Sequence, residues 1–514
     1  MLLHRAFIAS ARRHRGKLAL VDRTTDRRLT YGRALIGALV VRRWLRRISS
    51  AHVGILMPTS AGGALAIIGA LMAGRIPVMI NYSAGATENI AMARRRTGLR
   101  TVVTARTLLQ RLDIPEDADM LCMEDILAGT GKVARALAAV QSWLPRPLLE
   151  WTIHGGDPDD TAVLLFTSGS EAEPKAVELT HRSIGSNLEA VEAAYAAAHP
   201  NGVMLATLPL FHVFGFSTTL WLPLYLGQTL VTWANPLEFK TVAEIIREEA
   251  PTLVITTPYF LAGYLRAAAP GDLDSVELLV VGADRAPEWL HRRVAEDHGL
   301  TLLEGYGTTE TSPVISANPE GAPRAGSVGR PVPGVEVRLV GVEDDEPRAA
   351  GEEGRIQVRG PGVMKGYYND VEATLLKFHH GWYETGDVGV MDEDGYLWLS
   401  GRLSRFVKIA GEMVSLPRVE QAAAAHLPPE AEVCAAGIDD PRKGTAIALA
   451  VVPAEGESID TDRLRRSLHD DLPAIARPRR VYQVAELPKM ASGKVDFRRG
   501  EQAIRALAAG EGMP

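Results

Sequence analysis

The chain has 514 residues, 46% hydrophobic and 23% charged, with a formal net charge of −6. That composition fits a globular protein of more than one domain, and the acidic balance argues against a general nucleic-acid binder. With only two cysteines, Cys122 and Cys434, a disulfide framework and a cysteine-built metal cluster are excluded, which suits the cytoplasm.

The opening stretch "MLLHRAFIASARRHRGK" is basic and partly amphipathic, without the apolar core of a signal peptide, and reads as a surface helix. Residues 53–74, "VGILMPTSAGGALAIIGALMAG", carry no charge over about a bilayer's length. Pro58-Thr59-Ser60 and Gly62-Gly63 interrupt them, so a buried strand over 52–57, a turn and a packed helix over about 60–73 are expected, not a transmembrane span. Further apolar runs, "IPVMINY", "TAVLLFT", "VMLATLP", "TLVITTP" and "VELLVVGA", alternate with helical stretches and predict parallel strands in α/β layers. From about 325 to 400, short strands between glycine-rich turns predict a small β-rich subdomain. Beyond "GRLS" the tail predicts helices near 417–426, 461–471 and 498–508 and a strand in "TAIALAVV". The expected fold is a large multi-layer α/β domain, 1–401, followed by a small mobile α+β domain, 402–514.

One loop poses a chemical question. In "VLLFTSGSEAEPKAVELTH" an apolar run ends in Thr167, Ser168, Gly169 and Ser170, with Lys175 shortly after. Hydroxyls, backbone N–H groups and one ammonium on a tight turn suit a phosphate, although the Walker spacing is missing. Four more blocks follow: "EGYGTTET" (304–311), "YETGDVG" (383–389), "GRLSRFVKIAGEMVS" (401–415) and "LPKMASGKVDF" (487–497). Each is weak alone; their order over some 330 residues is not.

Together they resemble the adenylate-forming superfamily of acyl-CoA synthetases, nonribosomal-peptide adenylation domains and luciferases, over essentially the whole chain. "VMINYSAG", "LPLFHVFGF" and "KIAGEMVSL" look closest to the acyl–acyl-carrier-protein synthetase half of bifunctional 2-acylglycerophosphoethanolamine acyltransferases. Here that half would stand alone.

The resemblance implies attack of a carboxylate on the α-phosphate of ATP, giving an acyl-adenylate and pyrophosphate, then displacement of AMP by a thiol. Positive charge is needed where the two anions meet. Thr167 to Lys175 would hold the β- and γ-phosphates, and Thr309 the α-phosphate. Glu310, with Thr167, would hold Mg²⁺. Tyr306 would stack on adenine opposite Gly282 and Ala283, with Glu304, Gly307 and Thr308 completing the nucleotide cleft. Asp387 would accept from both ribose hydroxyls with Arg402 in support, and Lys494 would reach the acyl carboxylate and α-phosphate. His212 would gate the acyl pocket, with Phe214, Phe216 and Trp221 on its wall, and Ser404 would be the hinge.

Ala172 and Ala176 stand where relatives usually carry glycine, and would stiffen the loop by about 1 kcal/mol if a positive φ were needed. The favoured function is activation of a fatty acid and transfer to the phosphopantetheine thiol of acyl-carrier protein. Coenzyme A is the alternative acceptor. Other acceptors follow, and a non-catalytic nucleotide- or lipid-binding protein comes last. Charge decides little: residues 402–514 carry 17 Lys/Arg against 16 Asp/Glu, the rest 39 against 46. Localisation is expected to be cytoplasmic, with peripheral contact to the inner membrane surface through the basic N-terminal helix.

Overall fold

The computed structural model describes residues 1–83, 85–167, 174–195, 201–409, 412–428, 430–440, 444–454, 457–489 and 495–510. Two compact units emerge, one of residues 1–336 and 358–383, the other of 337–357 and 384–514.

The first unit is built on a nine-stranded and a seven-stranded sheet. In the seven-stranded sheet, His52–Ile55 lies parallel to Ile76–Met79, which lies parallel to Thr161–Phe166. The uncharged segment thus resolves as expected, into strand His52–Ile55 and helix Ala61–Met72. Ser60 caps that helix by accepting from the Gly63 N–H at 3.1 Å. Ten of its twelve residues are buried, because small side chains let it sink between its neighbours. Among the described residues no helix is long and apolar enough to cross a membrane.

In the nine-stranded sheet, Val203–Ala206, Leu253–Thr256, Leu278–Val281 and Leu302–Gly307 run parallel as neighbours. Their carboxyl ends deliver Thr256, Gly282 and Thr308 to one edge, where α/β sheets form their ligand crevices. The sheet edges are antiparallel, which the apolar runs did not predict. Leu18–Asp22 pairs with Arg27–Thr30, and Leu302–Gly307 with Val314–Ala317. The N-terminal helix Leu3–Arg13 turns Leu3, Phe7, Ile8 and Ala11 into the core, so its apolar face is not available to a membrane.

The second unit confirms the tail elements as helices Leu416–Ala424, Thr461–Asp471 and Phe497–Ala509 and strand Gly444–Val452. It also takes in 337–357 and 384–401, which the sequence reading grouped with the large domain. Local packing explains this grouping. Ser415 Oγ donates to the Ser400 carbonyl at 3.3 Å, and an added Cβ on Gly401 would stand 2.8 Å from the Pro417 ring.

Candidate active site

Strand Leu302–Gly307 ends in a turn that only glycine permits. A Cβ on Gly307 would lie 1.9 Å from the Pro313 carbonyl oxygen. The Thr308 N–H donates to that carbonyl at 3.1 Å, and Thr308 and Thr311 cap the short 3-10 turn Thr309–Thr311 from both sides. This frame holds Glu310 buried, its Oε1 accepting from the Tyr367 hydroxyl at 2.9 Å. The Met364 N–H donates to the Glu310 carbonyl at 2.7 Å, tying segment 364–367 to the turn.

Tyr367 also reaches the phosphate-loop candidate. Lys175 Nζ lies 5.1 Å from the centroid of its ring, within cation–π range. The described ends of that loop are tied together: the Thr167 N–H donates to the Lys175 carbonyl at 3.0 Å, and the Lys175 N–H to Thr167 Oγ1 at 3.3 Å. Carboxylate, phenol and ammonium are therefore joined through one tyrosine. Tyr383 sits beside them. Burial first, then the charge of Glu310 and the neighbouring Tyr367 and Tyr306, push its hydroxyl well above the usual range, so it stays protonated.

The next strand supplies a second wall. A Cβ on Gly282 would stand 3.2 Å from both the Gly305 carbonyl oxygen and the tip of the Phe214 ring. Ala283 follows with φ of +71°, a left-handed conformation costing an alanine roughly 1–2 kcal/mol. Phe214 precedes a π-helical segment, Gly215–Trp221. There Thr218 Oγ1 donates to the Phe214 carbonyl at 2.6 Å and Thr219 Oγ1 to the Gly215 carbonyl at 2.9 Å. Such wide turns concentrate at functional sites. His212 is half-buried, its ring centroid 4.7 Å from that of Phe211.

In the second unit, Asp387 and Arg402 are direct cross-strand partners, with Arg402 Nε 3.3 Å from Asp387 Oδ1. Gly386 precedes them with φ of +79°, and the Asp387 N–H donates to Thr385 Oγ1 at 3.0 Å. On the same strand, Trp382–Met391, the buried Glu384 accepts from Arg355 Nη1 at 2.7 Å and Gln357 Nε2 at 3.1 Å. Ser404 is exposed in a single 3-10 turn, Leu403–Arg405.

A sequence model of the AMP-binding enzyme family matches residues 7–368, and one of the AMP-binding enzyme C-terminal domain matches 418–494. The chain belongs to the AMP-binding enzyme family. A probable CoA ligase of Humulus lupulus is 32% identical over 350 residues, which is 66% of this chain and 66% of that protein. A long-chain-fatty-acid–CoA ligase of Bacillus subtilis is 34% identical over 355 residues, 68% of this chain and 63% of that protein. These matches span about two thirds of each relative's length. The fold matches that of ATP-bound MatB from Rhodopseudomonas palustris with a TM-score of 0.84 at 22% identity, covering 99% of both chains.

Against this family background the expected residues sort into groups. Thr167, Lys175, Tyr306, Thr308, Thr309 and Glu310 lie in the first unit, linked through Tyr367 and Tyr383. Asp387 and Arg402 form their own pair in the second. Ser168, Gly169, Ser170, Ala172 and Lys494 lie outside the described residues.

Three groups of expected residues have specific surroundings. The Glu304 carboxylate is engaged by its neighbours: Oε2 accepts from the Ala286 N–H at 2.9 Å and Oε1 meets His291 Nε2 at 3.0 Å. Phe216 and Trp221 are buried in the main core, leaving Phe214 and His212 as the partly exposed members of the expected acyl wall. Ala176 starts a strand opposite Phe166, in extended backbone that alanine adopts without strain.

The sequence reading missed Tyr367, Tyr383 and Glu384. Tyr383 and Glu384 stood inside a quoted block, "YETGDVG". Tyr367 stood in "MKGYYND", and only its hydroxyl on Glu310 reveals it.

Proposed function

We propose that the chain is an ATP-dependent, AMP-forming ligase that joins an organic acid, in the first instance a fatty acid, to a phosphopantetheine thiol. The acid's carboxylate oxygen attacks the α-phosphorus of ATP and pyrophosphate leaves. The thiolate then attacks the acyl carbon and AMP leaves. The observation that carries this reading is the Glu310–Tyr367–Lys175 link, which sets a metal-type carboxylate and an ammonium on one tyrosine. Both groups suit a polyphosphate: the ammonium meets its charge directly, the carboxylate through a cation.

The donor set fits Mg²⁺, which prefers oxygen: the Glu310 carboxylate and the Thr167 hydroxyl would hold it, and bound there it would neutralise phosphate charge. Thr309 would contact the α-phosphate and Tyr306 would stack on adenine along the wall of Gly282 and Ala283. Asp387, oriented by Arg402, would accept from the ribose hydroxyls. Ser168, Gly169 and Ser170 would complete the phosphate loop, and Lys494 would bring its ammonium to the reacting carboxylate and α-phosphate. His212 and Phe214 would stand at the mouth of the acyl pocket.

For the acceptor, the relatives reverse the preference drawn from motifs. Both are named as CoA ligases, so coenzyme A becomes the leading acceptor. Acyl-carrier protein stays as the second reading on the strength of the "KIAGEMVSL" stretch. The cytoplasm remains the proposed compartment, where both acceptors and ATP are found and where two buried thiols stay reduced. The test supplies ATP, Mg²⁺ and a graded panel of fatty acids with either free coenzyme A or the phosphopantetheinylated carrier. AMP release that rises only with coenzyme A supports this reading. Acylation of the carrier alone would restore the other acceptor, and no thiol-dependent AMP release with either would reject the ligase.

A further inference from the structure

Half of the exposed large hydrophobic side chains among the described residues lie on helix Lys132–Trp143 and its successor Arg146–Trp151. Val133, Leu137, Val140, Trp143, Leu148 and Trp151 are between 54% and 85% exposed. Positions 133, 137 and 140 repeat at helical spacing, so they form one stripe. On helix Lys132–Trp143 only Ala138 and Ser142 are buried, an inversion of the usual pattern in which small or polar residues face out. An exposed apolar stripe of this kind marks a site of interaction.

The surroundings identify the occupant. Helix Tyr31–Leu45 packs against Lys132–Trp143 and carries "RRWLRR" at its end, with Arg43, Arg46 and Arg47 exposed. These arginines and Leu137 line a hollow of about 540 Å³, with no acidic side chain on its wall. Arg12 and Arg15 donate to the Ser142 carbonyl at 3.3 and 3.0 Å, and the Arg15 guanidinium lies 3.6 Å from the Trp143 ring centroid. Residues 1–21, 31–49 and 130–151 hold thirteen Lys/Arg and a single acidic residue, Glu150, in a chain whose net charge is −6. Glu150 is already paired with Arg146 at 2.5 Å.

We infer that this face, an apolar stripe ending in tryptophans and rimmed by Arg43, Arg46 and Arg47, docks on the surface of an anionic lipid bilayer. The stripe enters the boundary between headgroups and acyl chains, the indole rings sit at headgroup level, and the arginines in the hollow take lipid phosphates. Neither feature alone makes the case: an apolar stripe fits any greasy partner and an arginine cluster any anion, but a stripe with a basic rim fits both layers of a membrane surface. The contact is peripheral and involves a face different from the N-terminal helix first expected to make it.

The experiment is flotation of the full chain with vesicles of phosphatidylcholine alone or mixed with phosphatidylglycerol, at low and high salt. Binding is expected only to the mixed vesicles and should weaken as salt rises. Replacing Arg43, Arg46 and Arg47 together by serine should lower the affinity on the order of a hundredfold. Leu137→Glu with Val140→Glu should lower it at least about tenfold. Both variants should retain wild-type ATP–pyrophosphate exchange, showing that they fold. Equal flotation with the two vesicle types would overturn the inference. So would light scattering that finds a dimer dissolved by Leu137→Glu without any vesicle partition, since the stripe would then bury itself against a second copy.

Discussion

Tyr367 joins two residues of the proposed site, because one side chain serves two partners. Its hydroxyl donates to Glu310 and its ring faces Lys175. A hydrogen bond to a charged group contributes about 1.5–3 kcal/mol, so Tyr367→Phe should reduce kcat/KM for ATP roughly 10- to 150-fold. The ring remains in that variant, so Tyr367→Leu should cost more, and steady-state kinetics of both variants separate the two contacts. Ala176 supports the opposite conclusion from the one its neighbours' chemistry suggested. Its backbone is extended, so Ala176→Gly should leave the Michaelis constant for ATP unchanged and lower stability by about 0.5–1 kcal/mol in a urea melt. The family resemblance proposed Glu310, Asp387 and Lys175 because each stands within a short block. It did not find Tyr367, some 57 residues from Glu310 in sequence, nor that Glu304 would turn its carboxylate towards Ala286 and His291.

At the scale of elements, periodicity found the helices and the buried parallel strands, including the uncharged segment that resolved into a strand and a small-residue helix. It could not find the edges. Strand Arg27–Thr30 is partly exposed and rich in arginine, so it carries no apolar signal. The π-helical turn at Gly215–Trp221 was equally invisible, since it follows from close approach of Gly215 to the Pro209 carbonyl, only 2.4 Å from where a Cβ would stand. The short turn Leu403–Arg405 bears on the proposed pivot at Ser404, which stays independent of how the units are divided by packing. Proline fits 3-10 dihedrals, so Ser404→Pro should preserve this turn while restricting rotation. Adenylation should then persist and thioester formation fall by an order of magnitude or more, read as separate half-reactions. Equal loss of both would move the pivot elsewhere.

At the scale of the molecule, the N-terminal helix is fastened by buried histidines. His4 is fully buried, with Nε2 3.0 Å from the His154 carbonyl, and the Leu3 N–H donates to His181 Nδ1 at 3.2 Å. Burial above all holds His4 down to about 4 and His181 to about 3, the latter helped by His4 and the N-terminal ammonium. In the unfolded chain both titrate near 6.5, so below that pH the unfolded state binds more protons and stability falls. Each histidine should cost about 1.4 kcal/mol per pH unit as pH drops from 6.5 towards 4, with no contribution above 6.5. Denaturant melts at successive pH values should show this slope, and His4→Gln should remove about half of it.

The α/β class was legible because apolar runs mark the buried parallel strands, and the order of motifs because each block is short and local in sequence. The division into packed units was not, because the β-rich segment carries no charge or composition boundary where it joins the tail. Acid-dependent exchange of labelled pyrophosphate into ATP would report an acyl-adenylate made with Glu310 and Lys494. Exchange should need both Mg²⁺ and a fatty acid, and should fall by about two orders of magnitude or more in Glu310→Gln and Lys494→Ala. Exchange indifferent to both substitutions, or none with any acid, would contradict that assignment.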